Sequence, residues 1–390
     1  MKSEVPKKDD KVSDTHADQN APNPQVEKEA KVFVATQWQL MWWRFRRHTL
    51  ALISAVVIIL IYLIAMFVEF IAPFTPETTN SKYLYAPPQV LHLWDSSEQK
   101  ISPYVFGVKS TIDATANRRI FTIDDKKKIP IRLFVNSVPY KLMGFIPMNV
   151  KLLGPVDKTQ PMFLLGADRL GRDLLSRIIY GTRISMSIGF IGVVLSLFLG
   201  ILLGGISGYY GGVVDTIIQR VIEFLRSIPT IPLWMGLAAA LPMNWPPLKV
   251  YFGITVILSL IGWTGLARVV RSRFMAMRGE EFVLAAELDG ASELRVIFRY
   301  MMPSFLSHII ASTTLAIPAM ILSETSLSFL GLGLRPPIIS WGVLLKDAQS
   351  VRSVLTAPWQ LWPAAAVIIS VLALNFLGDG LRDASDPYSR

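Results

Sequence analysis

The sequence predicts an all-α polytopic membrane protein, with six transmembrane helices and a partly β insert between the first and second. Three observations carry that expectation. Six stretches are apolar over about the 20 residues needed to cross a ~30 Å hydrocarbon core. Of the 390 residues, 52% are hydrophobic and only 17% are charged, against about 25% charged in soluble domains, and mean hydropathy is +0.42. One long polar stretch, residues 73–182, separates the first apolar run from the other five.

Residues 1–36 are rich in Lys, Asp and Pro and poor in aromatics, the composition of a disordered tail. Residues 37–72 hold an interfacial segment and the first span. In "QWQLMWWRFRRH" (Gln37 to His48), Trp38, Trp42 and Trp43 stand beside Arg44, Arg46 and Arg47. Such a mixture suits the headgroup level, and the Arg cluster places this side in the cytoplasm. The span runs from Leu50 to Val68 without a charge. It is long for a signal-peptide core and no small-residue cleavage site follows, so it is expected to stay as an anchor.

The insert is extracytoplasmic on this reading. "IPIRLFVNSVPYKLMGFIPMNVKLL" alternates β-branched and aromatic residues with Pro breaks, which suggests strands. It closes with "GADRLGRDLLSRIIYGTR", where Asp173 and Arg177 are four apart and Leu174, Leu175, Ile178 and Ile179 share a face. This reads as a helix along the outer interface, with Gly181 as its stop.

Residues 183–390 form the core with five more spans: Ile184 to Ser207, Thr216 to Leu241, Val250 to Ala267, Pro303 to Ser323 and Trp359 to Leu377. The third carries Arg220, Glu223 and Arg226 and is broken by Pro229 and Pro232. Six spans put both termini in the cytoplasm. The loop after the fourth holds Arg268, Arg271, Arg273, Arg278, Arg295 and Arg299, whereas the short loop near Pro246 holds only Lys249. That asymmetry agrees with the positive-inside rule. The net charge of +10 then reflects anionic lipid contact and topology, or a generally basic surface, and not nucleic-acid binding.

Several chemistries are excluded or weak. No Cys is present, so disulfides, thiolate nucleophiles and Cys metal sites are impossible. His16, His48, His92 and His308 form no HExxH pattern. There is no Gly-Lys dipeptide, so a Walker-A loop is absent and any ATP must be bound by another chain. His308 falls inside the fifth span; intramembrane ionisable groups are functional candidates, although a lone His is more often a hydrogen-bonded interior residue. "GISG" (Gly205 to Gly208) resembles the nucleophile site of rhomboid-type proteases, with Ser207 and His308 as the pair, but so short a match in a Gly-rich chain is common by chance. An ion-driven transporter would need internal repeats and mid-membrane ionisable residues, of which only His308 stands within the uncharged cores.

The second span places Gly192, Ser196, Gly200, Gly204 and Gly208 at every fourth position. They form one smooth ridge along a helix, suited to close packing in a bilayer. Either ordinary bundle packing or a seam on which two bundles rock would use it.

The stretch "LAAELDGASELRVIFRYMMP", Leu284 to Pro303, lies in the cytoplasmic loop at about 279–302. Glu280 and Glu281 suit a helix start, and Phe282, Ala285 and Ala286 fall on one side. Gly290 can end the helix in the left-handed conformation. Ser292 can cap a second helix, in which Leu294, Ile297, Phe298 and Met301 form a stripe. Pro303 is tolerated in the first turn of the next span. Periodicity alone leaves two readings open: helices resting on the membrane, or a docking element.

The spacing of Ala285, Ala286, Gly290 and Pro303 resembles the EAA loop of ABC importer permeases, with Leu284 in place of the name-giving Glu. "LGADRLGRDLLSRIIYGTRIS", "GYYGGVVDTIIQR", "SFLGLGLRPPIISWG", "NFLGDGLRDASDP" and "WWRFRRHTLAL" look like the C-type permease of the oligopeptide and dipeptide branch. The resemblance covers about residues 38–390. It implies the type I permease fold in a bacterial inner membrane. It also implies a second, B-type permease, two ATPase subunits that bind ATP and Mg, and an extracytoplasmic solute-binding protein delivering peptide. Nickel chelates and other small solutes are carried by relatives. The resemblance makes Ala285, Ala286, Gly290, Ala291, Leu294, Ile297, Phe298 and Pro303 the ATPase-docking residues. It implies no catalytic residue, cofactor or metal on this chain.

Overall fold

A computed structural model describes residues 36–95, 100–113 and 118–385. The tail expected to be disordered, residues 1–36, lies outside the described residues except for Thr36. Helix α1, Gln37–Phe45, starts on a reciprocal cap: Thr36 Oγ1 accepts from the Gln39 amide and Gln39 Oε1 accepts from the Thr36 amide. Trp38, Trp42 and Trp43 are exposed on it. Helix α2, Thr49–Met66, is the first span and begins where His48 Nδ1 accepts from the Ala51 amide. A short turn, α3 (Val68–Ile71), leads out of it.

The insert is a four-stranded antiparallel meander of β1 (His92–Asp95), β2 (Lys100–Asp113), β3 (Arg118–Leu142) and β4 (Ile146–Pro155), in the order β1-β2-β3-β4. Val105, Ile129, Ile131 and Met162 form its small core. Its root is polar. Lys151 Nζ, 3% exposed as a residue, donates to the Ala72 carbonyl at 2.7 Å. Arg183 forks onto both oxygens of Glu69 and also donates to the Ala65 and Met66 carbonyls, capping the end of α2.

Burial holds the Lys151 pKa down at about 8, against the pull of the Glu69 and Asp173 carboxylates. The ordinary value is about 10.4. A depressed lysine pKa means that the unfolded chain holds more protons in the window between them, so stability rises with pH there. The melting temperature of the purified protein, relative to Lys151→Met, is expected to climb between pH 8 and about 10. A difference that stays flat over that window would disprove the assignment.

Helix α4, Leu174–Tyr210, is one 37-residue rod, about 55 Å long at 1.5 Å per residue. This corrects the expected outer-interface helix ending at Gly181. Residues 174–183 are the first turns of the second span, and Gly181 is a packing glycine. A Cβ there would stand 3.2 Å from the Trp341 ring. The expected Asp173–Arg177 pair also gives way: Asp173 caps the rod by accepting from the Ser176 amide and hydroxyl, and Arg177 turns to Asp168.

The third expected span is two helices, α5 (Gly212–Ser227) and α6 (Thr230–Ala239), bent by 88°. Ile228 is extended at φ −88°, ψ 130° because Pro229 disfavours helical backbone before it and supplies no N–H. Among the described residues, five helices are therefore long and apolar enough to cross a membrane, or six if the bent pair counts as one span. The others are α7 (Pro247–Met277), α11 (Leu306–Phe329) and α14 (Trp362–Ser385). Between α7 and α11 lie α8 (Glu281–Leu288), α9 (Glu293–Arg295), a π-helical turn (Val296–Met301) and α10 (Met302–Ser304). Beyond α11 lie the short helices α12 (Trp341–Asp347) and α13 (Val351–Thr356).

The small-residue ridge packs within the chain. Gly200, Gly204 and Gly208 face α7; a Cβ on Gly204 would stand 2.5 Å from the Ala267 carbonyl oxygen, and on Gly208 2.7 Å from that of Arg271. Gly192 faces Met320 of α11, and Ser196 donates to the Ser259 carbonyl at 3.3 Å.

Candidate functional site: a docking element and its braces

Helix α8 ends as the sequence dictates. Gly290 has φ +76°, and its amide and that of Ala291 donate to the Glu287 and Ala286 carbonyls, both at 3.0 Å. That is the paired bonding of a Schellman stop, which a left-handed residue makes possible. Ser292 occupies the cap position of the next turn, but its side chain makes no capping bond.

The faces differ from the periodic expectation. Val283 and Ala286 are buried, while Phe282, Ala285 and Leu284 are exposed. In the second half, Val296, Ile297 and Met301 are buried and Leu294 and Phe298 are exposed. The expected stripe assumed an α-helical period; the π-helical turn is wider and swings Val296 inward in place of Phe298. Pro303 lies in α10, one turn before the span. The backbone breaks at Phe305 (φ −126°, ψ 21°) before α11 begins.

The inward residues pack on Val270, Phe274, Phe305 and Ile309, which anchors the element to α7 and α11. Two tyrosines from the end of α4 brace it on either side of Gly290. Tyr209 donates to Glu287 Oε1 at 2.8 Å, and Tyr210 donates to Glu293. Outward, Phe282, Leu284, Leu288, Leu294 and Phe298 remain exposed, Leu288 at 89%. Large apolar side chains exposed on neighbouring turns mark a contact with a protein or with the membrane. Leu284 is one of these exposed side chains.

The protease alternative is not favoured. Ser207 is fully buried and donates to Asp215 Oδ1 at 2.5 Å, while Gln219 donates to its hydroxyl. Arg271 forks onto both Asp215 oxygens at 2.5 Å. The hydroxyl belongs to a structural network tying α4, α5 and α7. His308 is helical, and its side chain lies outside the described residues.

Two fully buried acids escaped the sequence reading. Asp168, fully buried, accepts from the Leu170 and Arg172 amides, from Arg172 Nε at 2.7 Å and from Arg177 Nη1. Nearby, Trp359 and Gln360 donate to the Ala167 carbonyl, tying this loop to the start of α14. Glu324, also fully buried, accepts from Ser185, Ser328 and Ser340. It stands one residue past the expected end of the fifth span, which hid it.

A bundle of membrane-length helices, with a glycine-hinged element that presents large apolar side chains outward, defines a polytopic membrane protein. Residues 196–390 match the family described as the binding-protein-dependent transport system inner membrane component, and residues 36–88 match the N-terminal TM domain of oligopeptide transport permease C. The chain is 37% identical over 227 residues to the dipeptide transport system permease protein DppC of Bacillus subtilis, covering 58% of this chain and 68% of that one. It is 38% identical over 266 residues to the oligopeptide transport system permease protein OppC of Haemophilus influenzae, covering 67% and 82%. Against the dipeptide permease DppC of the same organism it is 33% identical over 353 residues, covering 90% and 95%. The chain belongs to the family of binding-protein-dependent transport system inner membrane components.

Proposed function

We propose that this chain is the C-type permease subunit of an ATP-driven peptide importer, and that the α8–Gly290–α9 element is its contact with the ATPase. The outward cluster of Phe282, Leu284, Leu288, Leu294 and Phe298 around a left-handed hinge carries the reading. Family membership supports the transport role, and the relatives, named for dipeptide and oligopeptide transport, support peptides over nickel chelates. The partners are a B-type permease, two ATPase subunits and a solute-binding protein. ATP and Mg belong to the ATPases. The α8 side faces the cytoplasm, where the Arg-rich loop lies, and both termini share it; the insert faces outward.

The mechanism follows from what α8 is attached to. Its inner face is packed on α7 and α11, and its C-terminal end and the start of α9 are held by Tyr209 and Tyr210 of α4. A displacement of α8 by a moving ATPase therefore pulls on three spans at once. Replacing Leu288 by Asp puts a charge at the centre of the contact. It is expected to reduce co-purification of the ATPase at least about tenfold, the effect of roughly 1.4 kcal/mol, with membrane levels of this chain unchanged. Undiminished capture of the ATPase by Leu288→Asp would refute the docking assignment.

A further inference from the structure

The loop after α11 borders an open pocket of about 260 Å³ on the side of the bundle opposite α8, between the end of α6, the start of α7 and residues 332–337. Leu241, Met243, Trp245 and Pro247 contribute an apolar wall, and Arg335 is the single charged residue in the lining. Among the described residues, the Arg335 guanidinium has no ion pair and no hydrogen-bond partner.

The loop that carries Arg335 is held by the buried Glu324. Ser328 Oγ donates to Glu324 Oε1 at 2.8 Å and accepts from the Leu334 amide at 3.0 Å. Ser340 Oγ donates to the same oxygen at 2.7 Å and accepts from the Val343 amide at 3.2 Å. Ser185 Oγ donates to Oε2 at 3.4 Å and accepts from the Trp341 amide at 3.1 Å. All three serines are fully buried. Each hydroxyl thus relays the carboxylate to one backbone N–H, and the loop is pinned on both sides of Arg335. The backbone from which the exposed Arg335 side chain projects is thus fixed before any ligand arrives.

We propose that this pocket receives the C-terminal residue of a peptide. Arg335 pairs with its carboxylate and the Trp245-lined wall takes its last side chain. This inference rests on the peptide-permease reading above. The volume falls below the roughly 300–1,000 Å³ of sites that enclose a whole small ligand, so it suits the end of a chain. Guanidinium and carboxylate match in charge and in forked geometry, and no acid of the lining competes for Arg335.

The test uses the complete transporter in proteoliposomes with saturating binding protein. The substrates are one tripeptide as its free acid and the same tripeptide amidated at its C-terminus. The wild type is expected to take up the free acid about tenfold faster, the scale of one charged hydrogen-bonded contact. Arg335→Ala should remove that preference by slowing the acid alone, and Arg335→Lys should keep part of it. Retention of the full preference in Arg335→Ala would overturn the proposal, since the binding protein alone would then be reading the terminus. Equal slowing of both peptides, with weaker capture of the loaded binding protein, would also overturn it and give Arg335 to a protein carboxylate instead. If the wild type takes up neither peptide, the peptide-permease reading itself fails and this inference falls with it.

Discussion

Gly290→Val is expected to abolish ATP-driven uptake while the chain still inserts and accumulates in the membrane. Gly290 holds φ +76°, a conformation that costs a non-glycine residue roughly 1–3 kcal/mol and a β-branched one most. A Cβ at this position would meet nothing within 4 Å, so the penalty is conformational and not a clash. Relief of that strain would break the amide bonds from Gly290 and Ala291 to Glu287 and Ala286. Helix α8 would then rotate relative to the π-helical turn, and the outward apolar side chains would no longer form one surface. Gly290→Asn is the control, because Asn enters the left-handed region with little cost and should keep most activity. Uptake in membrane vesicles and ATPase co-purification are the readouts. Normal values of both in Gly290→Val would show that the hinge is dispensable.

Asp168→Ala is expected to be the most destabilising single substitution at the foot of the insert. Arg177 is 2% exposed, and Asp168 is its close partner, with Asp347 farther off at 3.6 Å. Removing one member of a buried ion pair typically costs about 3–5 kcal/mol, because the other charge stays buried without compensation. The Leu170 and Arg172 amides would lose their acceptor as well. Asp168→Asn keeps an oxygen for those amides and should be milder. The readout is the melting temperature of the purified chain in detergent. A wild-type value for Asp168→Ala would mean that the pair contributes nothing.

The expectations that failed did so for identifiable local reasons. Gly181 looks like a helix stop because its role, close approach to Trp341, comes from a residue far away in the chain. Asp173 and Arg177 have the spacing of a helical pair, but Asp173 is needed at the helix start, which frees Arg177 for Asp168. The stripe of Leu294, Ile297, Phe298 and Met301 follows an α-helical period that the π-helical turn does not keep. Glu324 was invisible because no cation or second acid is near it in sequence to suggest a partner. Its three serines come from α4, α11 and the N-cap of α12.

The sequence by itself determined the features that act locally or through solvent. Apolar length fixed which segments can span a bilayer. Pro229 fixed the break between α5 and α6, and Gly290 fixed the hinge, since both depend only on backbone geometry. The motifs fixed the family. The tertiary structure alone decided which faces of α8 and the π-helical turn point outward, that the glycine ridge packs on α7 and α11, and that Asp168 and Glu324 are buried at the centres of hydrogen-bonded networks. Those outcomes depend on contacts between residues distant in the chain, and a periodic pattern carries no information about which distant partner will be met.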